Sequence, residues 1–112
     1  MEAFELSAVI AAQSRSGRRY LEFLRRPSLS MGVYHLPAGG VDPQSPHTED
    51  EVYYVASGRA LIRVADEDRP VGPGSIVLVA ANVPHRFHSI EEDLIVLVFF
   101  APAEYSKQAV PA

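Results

Sequence analysis

Two histidines, His47 and His85, have settings that point to chemistry. His47 opens the stretch His47-Thr48-Glu49-Asp50-Glu51, four residues ahead of a carboxylate, and leads into an apolar run. His85 follows Asn82-Val83-Pro84 and starts another such run. Together with Glu51 they supply two imidazoles and one carboxylate, the donor types of the facial metal triad that leaves open positions for substrate. Side chains alternate along an extended strand, so residues 47, 49 and 51 share a face and Glu49 competes with Glu51. Asp50 then faces the other way, as a solvated charge.

The same parity sorts the neighbours. Tyr53 and Val55 follow Glu51 at period two, and the Tyr53 hydroxyl is a candidate ligand contact. Phe87 shares the face of His85, whereas Arg86 and His88 take the opposite one, which assigns His88 to a surface or interface. His35 lies on an earlier strand whose facing the pattern leaves open, and it is kept as a pocket-lining candidate. Tyr54 falls on the packing face between sheets or subunits. Arg59, Arg63 and Arg86 read as surface ion pairs. No phosphate-binding loop, nucleophile elbow or H-E-x-x-H helix is present.

The elements that must hold these residues are short strands. Prolines and glycines recur every few residues from 27 to 84, leaving no room there for a helix of about ten residues. Between them lie Leu29–Leu36, Val52–Ala56, Ala60–Val64, Ser75–Val79, His85–Ile90 and Leu94–Ala101, six apolar runs of strand length that predict an all-β sandwich or barrel. Ala65–Pro70 reads as a hairpin tip, Gly72-Pro73-Gly74 as a tight turn and Glu91-Glu92-Asp93 as a solvated loop. Tyr20–Leu24 alternates like a strand, while Phe4–Ala12 fits strand or helix equally. Leu94–Ala101 is continuously apolar, which calls for burial on both faces or cover from a second subunit.

Composition bounds the rest. The 112 residues suffice for one domain, and 47% are apolar against 21% charged, a globular profile. Without cysteine there are no disulfides, thiolate metal ligands or cysteine nucleophiles. A net charge of −4 argues against a nucleic-acid partner. The start carries no signal-peptide pattern, and no apolar run approaches the roughly 20 residues of a membrane span, so a cytoplasmic protein without membrane contact is expected. Residues 1–30 carry five arginines and three acids, the remainder five bases and eleven acids. That asymmetry divides the chain into an N-terminal arm (1–30), a barrel (31–104) and a C-terminal tail (105–112). It also suggests a homodimer in which the basic arm reaches a neighbour's acidic barrel.

Over about residues 32–101 the sequence resembles the cupin superfamily, specifically its small single-domain conserved-barrel members. The first cupin motif, G-x5-H-x-H-x3,4-E-x6-G, is met by Gly39, His47, Glu51 and Gly58 in register, with Ser45 in place of the first histidine. The second, G-x5-P-x-G-x2-H-x3-N, is met by Gly74 and His85, with Ala80, Asn82 and Ser89 at the other anchors. Asn tolerates the left-handed backbone that glycine would supply, so Asn82 is a mild change. The resemblance implies an antiparallel double-sheet jelly-roll barrel with metal ligands inside its mouth. It makes His47, Glu51 and His85 the ligand positions and the register to Gly58 favours Glu51 over Glu49. Ser45 and Gln44 become candidates for a weak fourth ligand or an outer contact.

The functional expectation is a metal-dependent small-molecule enzyme, with dioxygenase-like and isomerase- or cyclase-like reactions as candidates. The alternative is a cupin that binds or senses a small ligand without turnover. Nitrogen and oxygen donors without thiolate favour Fe, Mn, Ni or Zn as the divalent ion. No catalytic residue stands out beyond the ligands.

Overall fold

The computed structural model describes residues 1–44 and 46–106. Leu6–Ser16 forms a helix, α1, which ends at Gly17 in the left-handed conformation (φ 72°), the geometry that glycine adopts without strain. The arm is thus part helix, and its second half is the strand β1 (Tyr20–Arg26). The helix packs on β1 and β2 (Leu29–Leu36). Val33 points away from the core residues Tyr34 and Leu36 and is still fully buried, as expected beneath such a cover.

Two long strands carry the architecture. β3 spans Asp50–Val64 and β6 spans His85–Ala101, paired antiparallel from Asp50↔Ala101 to Val64↔His85. Each joins two runs that the sequence pattern separates. The acidic triplet Glu91-Glu92-Asp93 is therefore not a loop but the exposed middle of β6. Ala65–Pro70 is likewise not all turn: Ala65 and Asp66 make the tip, and β4 (Glu67–Val71) pairs back on β3. In both places hydrogen bonding to a central strand overrides polar composition, since solvent-facing strand positions accept charge freely.

The antiparallel sheet runs β1-β2-β6-β3-β4, with β5 (Ile76–Val79) on the first half of β3. Register shifts between Val55 and Leu61 bend the pair at mid-length. Gly58 sits in that bend at φ 93°, where a Cβ would stand 2.2 Å from the Asp93 carbonyl oxygen, so no other residue fits. The folded-over halves enclose one core, in which Tyr34, Leu36 and Val98 meet Ile62, Phe87 and Ile90. This is the expected all-β jelly-roll arrangement, with one helix added. Asn82 has φ 66°, as its place in the second motif requires. Among the described residues no helix is long and apolar enough to cross a membrane.

Candidate metal centre

The site forms where the start of β3, the start of β6 and residues 102–106 after β6 converge. Within the described residues, one donor atom each from His47, Glu51 and His85 lies within 4.8 Å of the others. Glu51 Oε1 is 2.9 Å from His85 Nε2 and 3.7 Å from His47 Nδ1. Neither approach has hydrogen-bond alignment, and these same three atoms are buried without a hydrogen-bond partner. Buried polar atoms are otherwise nearly always satisfied, so three together make a candidate position for a cation. Ligand atoms about 2.1 Å from one ion stand roughly 3 Å apart at right angles, which the spacing approaches.

The outer nitrogens are both engaged. His85 Nδ1 is 2.9 Å from the Val83 carbonyl oxygen, and His47 Nε2 is 3.0 Å from Glu104 Oε2. Burial alone would lower the pKa of either ring. For His47 the Glu104 hydrogen bond and the charges of Glu51 and Glu104 outweigh it, and the pKa rises above its ordinary value. The Glu51 carboxylate, with the Val83 carbonyl, does the same for His85.

Glu49, the competing carboxylate, is as buried as Glu51 but faces elsewhere. It accepts a hydrogen bond from the Tyr105 backbone N–H at 2.8 Å and one from the Thr48 hydroxyl. Asp50 is exposed and accepts the Ala81 N–H. His88 is outside the site, 2.8 Å from Asp68 Oδ1 near the hairpin tip.

A cavity of about 570 Å³ opens on the centre, lined by Tyr20, Tyr34, Gln44, His47, Glu51, Val98, Phe100, Glu104 and Tyr105 among others. Gln44 lines it as expected, but its amide is occupied, donating to Asp42 at 2.7 Å and accepting from the Tyr53 hydroxyl at 2.8 Å. Tyr53 is consequently not a free hydroxyl in the cavity; it and Phe87 are core residues whose rings pack 4.9 Å apart. His35 is corrected as well: it faces outward, 3.5 Å from Asp93, because Tyr34 and Leu36 take the inward positions of β2. Ser45 lies outside the described residues, as do 107–112 of the tail.

Sequence reasoning missed Asp42, Tyr20 and Glu104. Asp42 is buried and accepts from the Tyr34 hydroxyl, Gln44 and the Phe87 N–H, which ties the loop before β3 to β6. Tyr20 reaches the cavity over Gly32, where a Cβ would come within 2.2 Å of its ring, and its buried hydroxyl has no partner. Tyr105 and Ser106, expected in a loose tail, are held by hydrogen bonds to Glu49 and Ala103.

The fold is thus an antiparallel jelly roll with a buried two-histidine, one-carboxylate cluster in its mouth that could hold a metal ion. The family model for the cupin domain matches residues 32–100, and the chain belongs to the cupin family. An uncharacterised protein of Streptomyces coelicolor is 50% identical over 104 residues, 93% of this chain and 99% of its own length. The structure of TT1209 from Thermus thermophilus superposes with a TM-score of 0.70 at 23% identity, covering 92% of this chain and 99% of that one. The dimethylsulfoniopropionate (DMSP) lyase DddQ from Ruegeria pomeroyi gives 0.68 at 22%, covering 84% and 51%. At these identities the structural likenesses concern the fold.

Proposed function

We propose that this cupin holds a divalent metal ion on His47, Glu51 and His85 and acts on a small organic molecule in the adjoining cavity. The observation that carries this reading is the set of three buried donor atoms with no hydrogen-bond partner, all within 4.8 Å of one another. A bound divalent ion would supply Lewis acidity toward an oxygen of the ligand. The protein's own part is to hold two neutral imidazoles in place, balance charge with Glu51 and seat the ligand between Val98, Phe100 and the tyrosines. Fe, Mn, Ni and Zn all suit such donors. Dioxygenase-like and isomerase- or cyclase-like reactions remain the candidate activities. The alternative of binding without turnover draws support from Glu104, the other carboxylate lining the cavity, which is engaged by His47 rather than free as a base. Elemental analysis of protein purified without a metal-affinity step tests the site, with about one ion per chain expected and none overturning it. Oxygen uptake and product formation with metal-loaded protein separate enzyme from binder.

We also propose a homodimer. β6 turns Leu97 and Phe99 outward beside Val52 and Tyr54, and at the sheet edge Ile76 and Leu78 are 71% and 65% exposed. Such an apolar face favours association. The contact is assigned to this sheet face, with the basic arm's arginines adding a modest salt-dependent term. Light scattering should give a dimer that Ile76→Lys weakens; a 12.3 kDa species at tens of micromolar would overturn it.

A further inference from the structure

We infer that Glu104 is the positioning residue of the metal centre, holding His47 in the tautomer that turns a bare Nδ1 toward Glu51 and His85. This rests on the metal reading above and adds a residue that neither cupin motif contains.

A neutral imidazole carries one proton, and its partner decides which nitrogen holds it. A carboxylate only accepts hydrogen bonds, so Glu104 Oε2, standing 3.0 Å from His47 Nε2, favours the proton on Nε2. Nδ1 is then a lone pair, buried and unpartnered, 3.7 Å from Glu51 Oε1. The Val83 carbonyl does the same for His85 from the other side, fixing the proton on Nδ1 and leaving Nε2 bare. Three buried acceptors confront one another, and a cation resolves that conflict. Acceptors behind ligating histidines are the usual outer support of such sites.

The segment that delivers Glu104 is built for placement. Its backbone N–H donates to Ser30 Oγ at 2.9 Å, and its carbonyl accepts from Arg25 Nη2 at 2.9 Å. The next residue, Tyr105, donates its N–H to Glu49 at 2.8 Å, and Ala103 N–H reaches the Pro27 carbonyl at 3.3 Å. β1, β2, the turn between them and Glu49 just ahead of β3 thus fix the strap, and the Glu104 side chain spans from it to His47. The buried Glu49 acquires a role through this arrangement: it secures the strap instead of the ion.

The test uses the full chain, Co(II) as the probe, and Glu104→Gln, which keeps shape but can donate as well as accept. Long-range proton–nitrogen spectra of metal-free protein at about pH 9, above the histidine range, should show His47 protonated on Nε2. In Glu104→Gln that pattern should shift toward Nδ1–H while His85 is unchanged. Co(II) affinity, read from its visible absorption, should fall about 10- to 100-fold. Ser30→Ala, which loosens the strap and keeps the carboxylate, should lose less. Wild-type His47 protonated on Nδ1, or Glu104→Gln binding Co(II) as tightly as wild type, overturns the inference. If Glu104→Gln fails to fold, the wild-type tautomer decides alone. Wild-type protein that takes up no Co(II) overturns the metal reading instead, and the tautomer remains readable without it.

Discussion

Glu51 Oε1 and His85 Nε2 stand 2.9 Å apart on side chains that are only 2% and 1% exposed, facing each other across the barrel mouth without a hydrogen bond. Glu51 supplies the one anionic donor of the cluster. Glu51→Gln should therefore weaken metal binding by more than the 10- to 100-fold typical of an outer partner (about two decades or beyond). Glu49→Gln keeps an acceptor for the Tyr105 N–H and should cost on the order of 1 kcal/mol of stability, with less than tenfold loss of metal. Calorimetric titration with Zn(II) checks both. The reverse ranking would move the ligand to Glu49.

The histidines should separate as cleanly. His47→Ala and His85→Ala should each abolish most metal binding, since each removes one of three donors. His88→Ala removes an exposed contact with Asp68 and should leave metal content unchanged. Its effect on stability should stay within about 1 kcal/mol, as for other surface pairs. Metal content and thermal melts of the three variants provide the measurement. Loss of metal in His88→Ala alone would contradict the assignment.

The clustering of His47, Glu51 and His85 was legible because strand parity and motif spacing both act over a few residues. Parity placed His85 with Phe87 inward and His88 outward, and the structure has them so. It could not choose between Glu49 and Glu51, because β3 begins only at Asp50 and residue 49 does not obey its alternation. Glu91-Glu92-Asp93 misled for a different reason: a strand held by central pairing tolerates three consecutive charges where it meets solvent. Glu104 and Tyr20 were out of reach altogether. They lie 57 and 27 residues from His47 in sequence, and only the closure of the sheet brings them to the cavity.

Acidity should act on the site through both histidines. Each has its pKa raised above the ordinary 6.5 in the folded, metal-free chain, for burial is outweighed by neighbouring carboxylates. A group raised in this way adds stability that is fully present below about pH 6.5 and is lost as pH climbs through the folded value. Metal works in the opposite sense, because protons compete for the same nitrogens. Metal affinity should therefore start to fall at a pH above 6.5 as the solution is acidified, and the thermal shift produced by metal should grow from pH 6 to 8. Melts with and without Zn(II) across that range measure it. A shift independent of pH would rule out histidine ligation.

Removing the metal should destabilise the fold as well as empty the site. An ion that binds only the native state at 100 times its Kd adds about 2.7 kcal/mol. For a domain of this length that corresponds to a melting shift on the order of 10 °C. The conflict among His47 Nδ1, Glu51 Oε1 and His85 Nε2 returns on chelation, at the point where β3, β6 and the strap meet. The loss should thus be felt by the whole barrel rather than by one loop. Chelated wild type should melt lower than the loaded protein, and restoring Zn(II) should recover the difference. Glu51→Gln should show almost no shift, while His88→Ala should show the full one. Melting measured at one fixed protein concentration separates this effect from dimerisation, which also raises the midpoint by mass action. Equal melting of chelated and loaded wild type would exclude a structural contribution from the ion. The same shift in Glu51→Gln would place the responsible metal at another position.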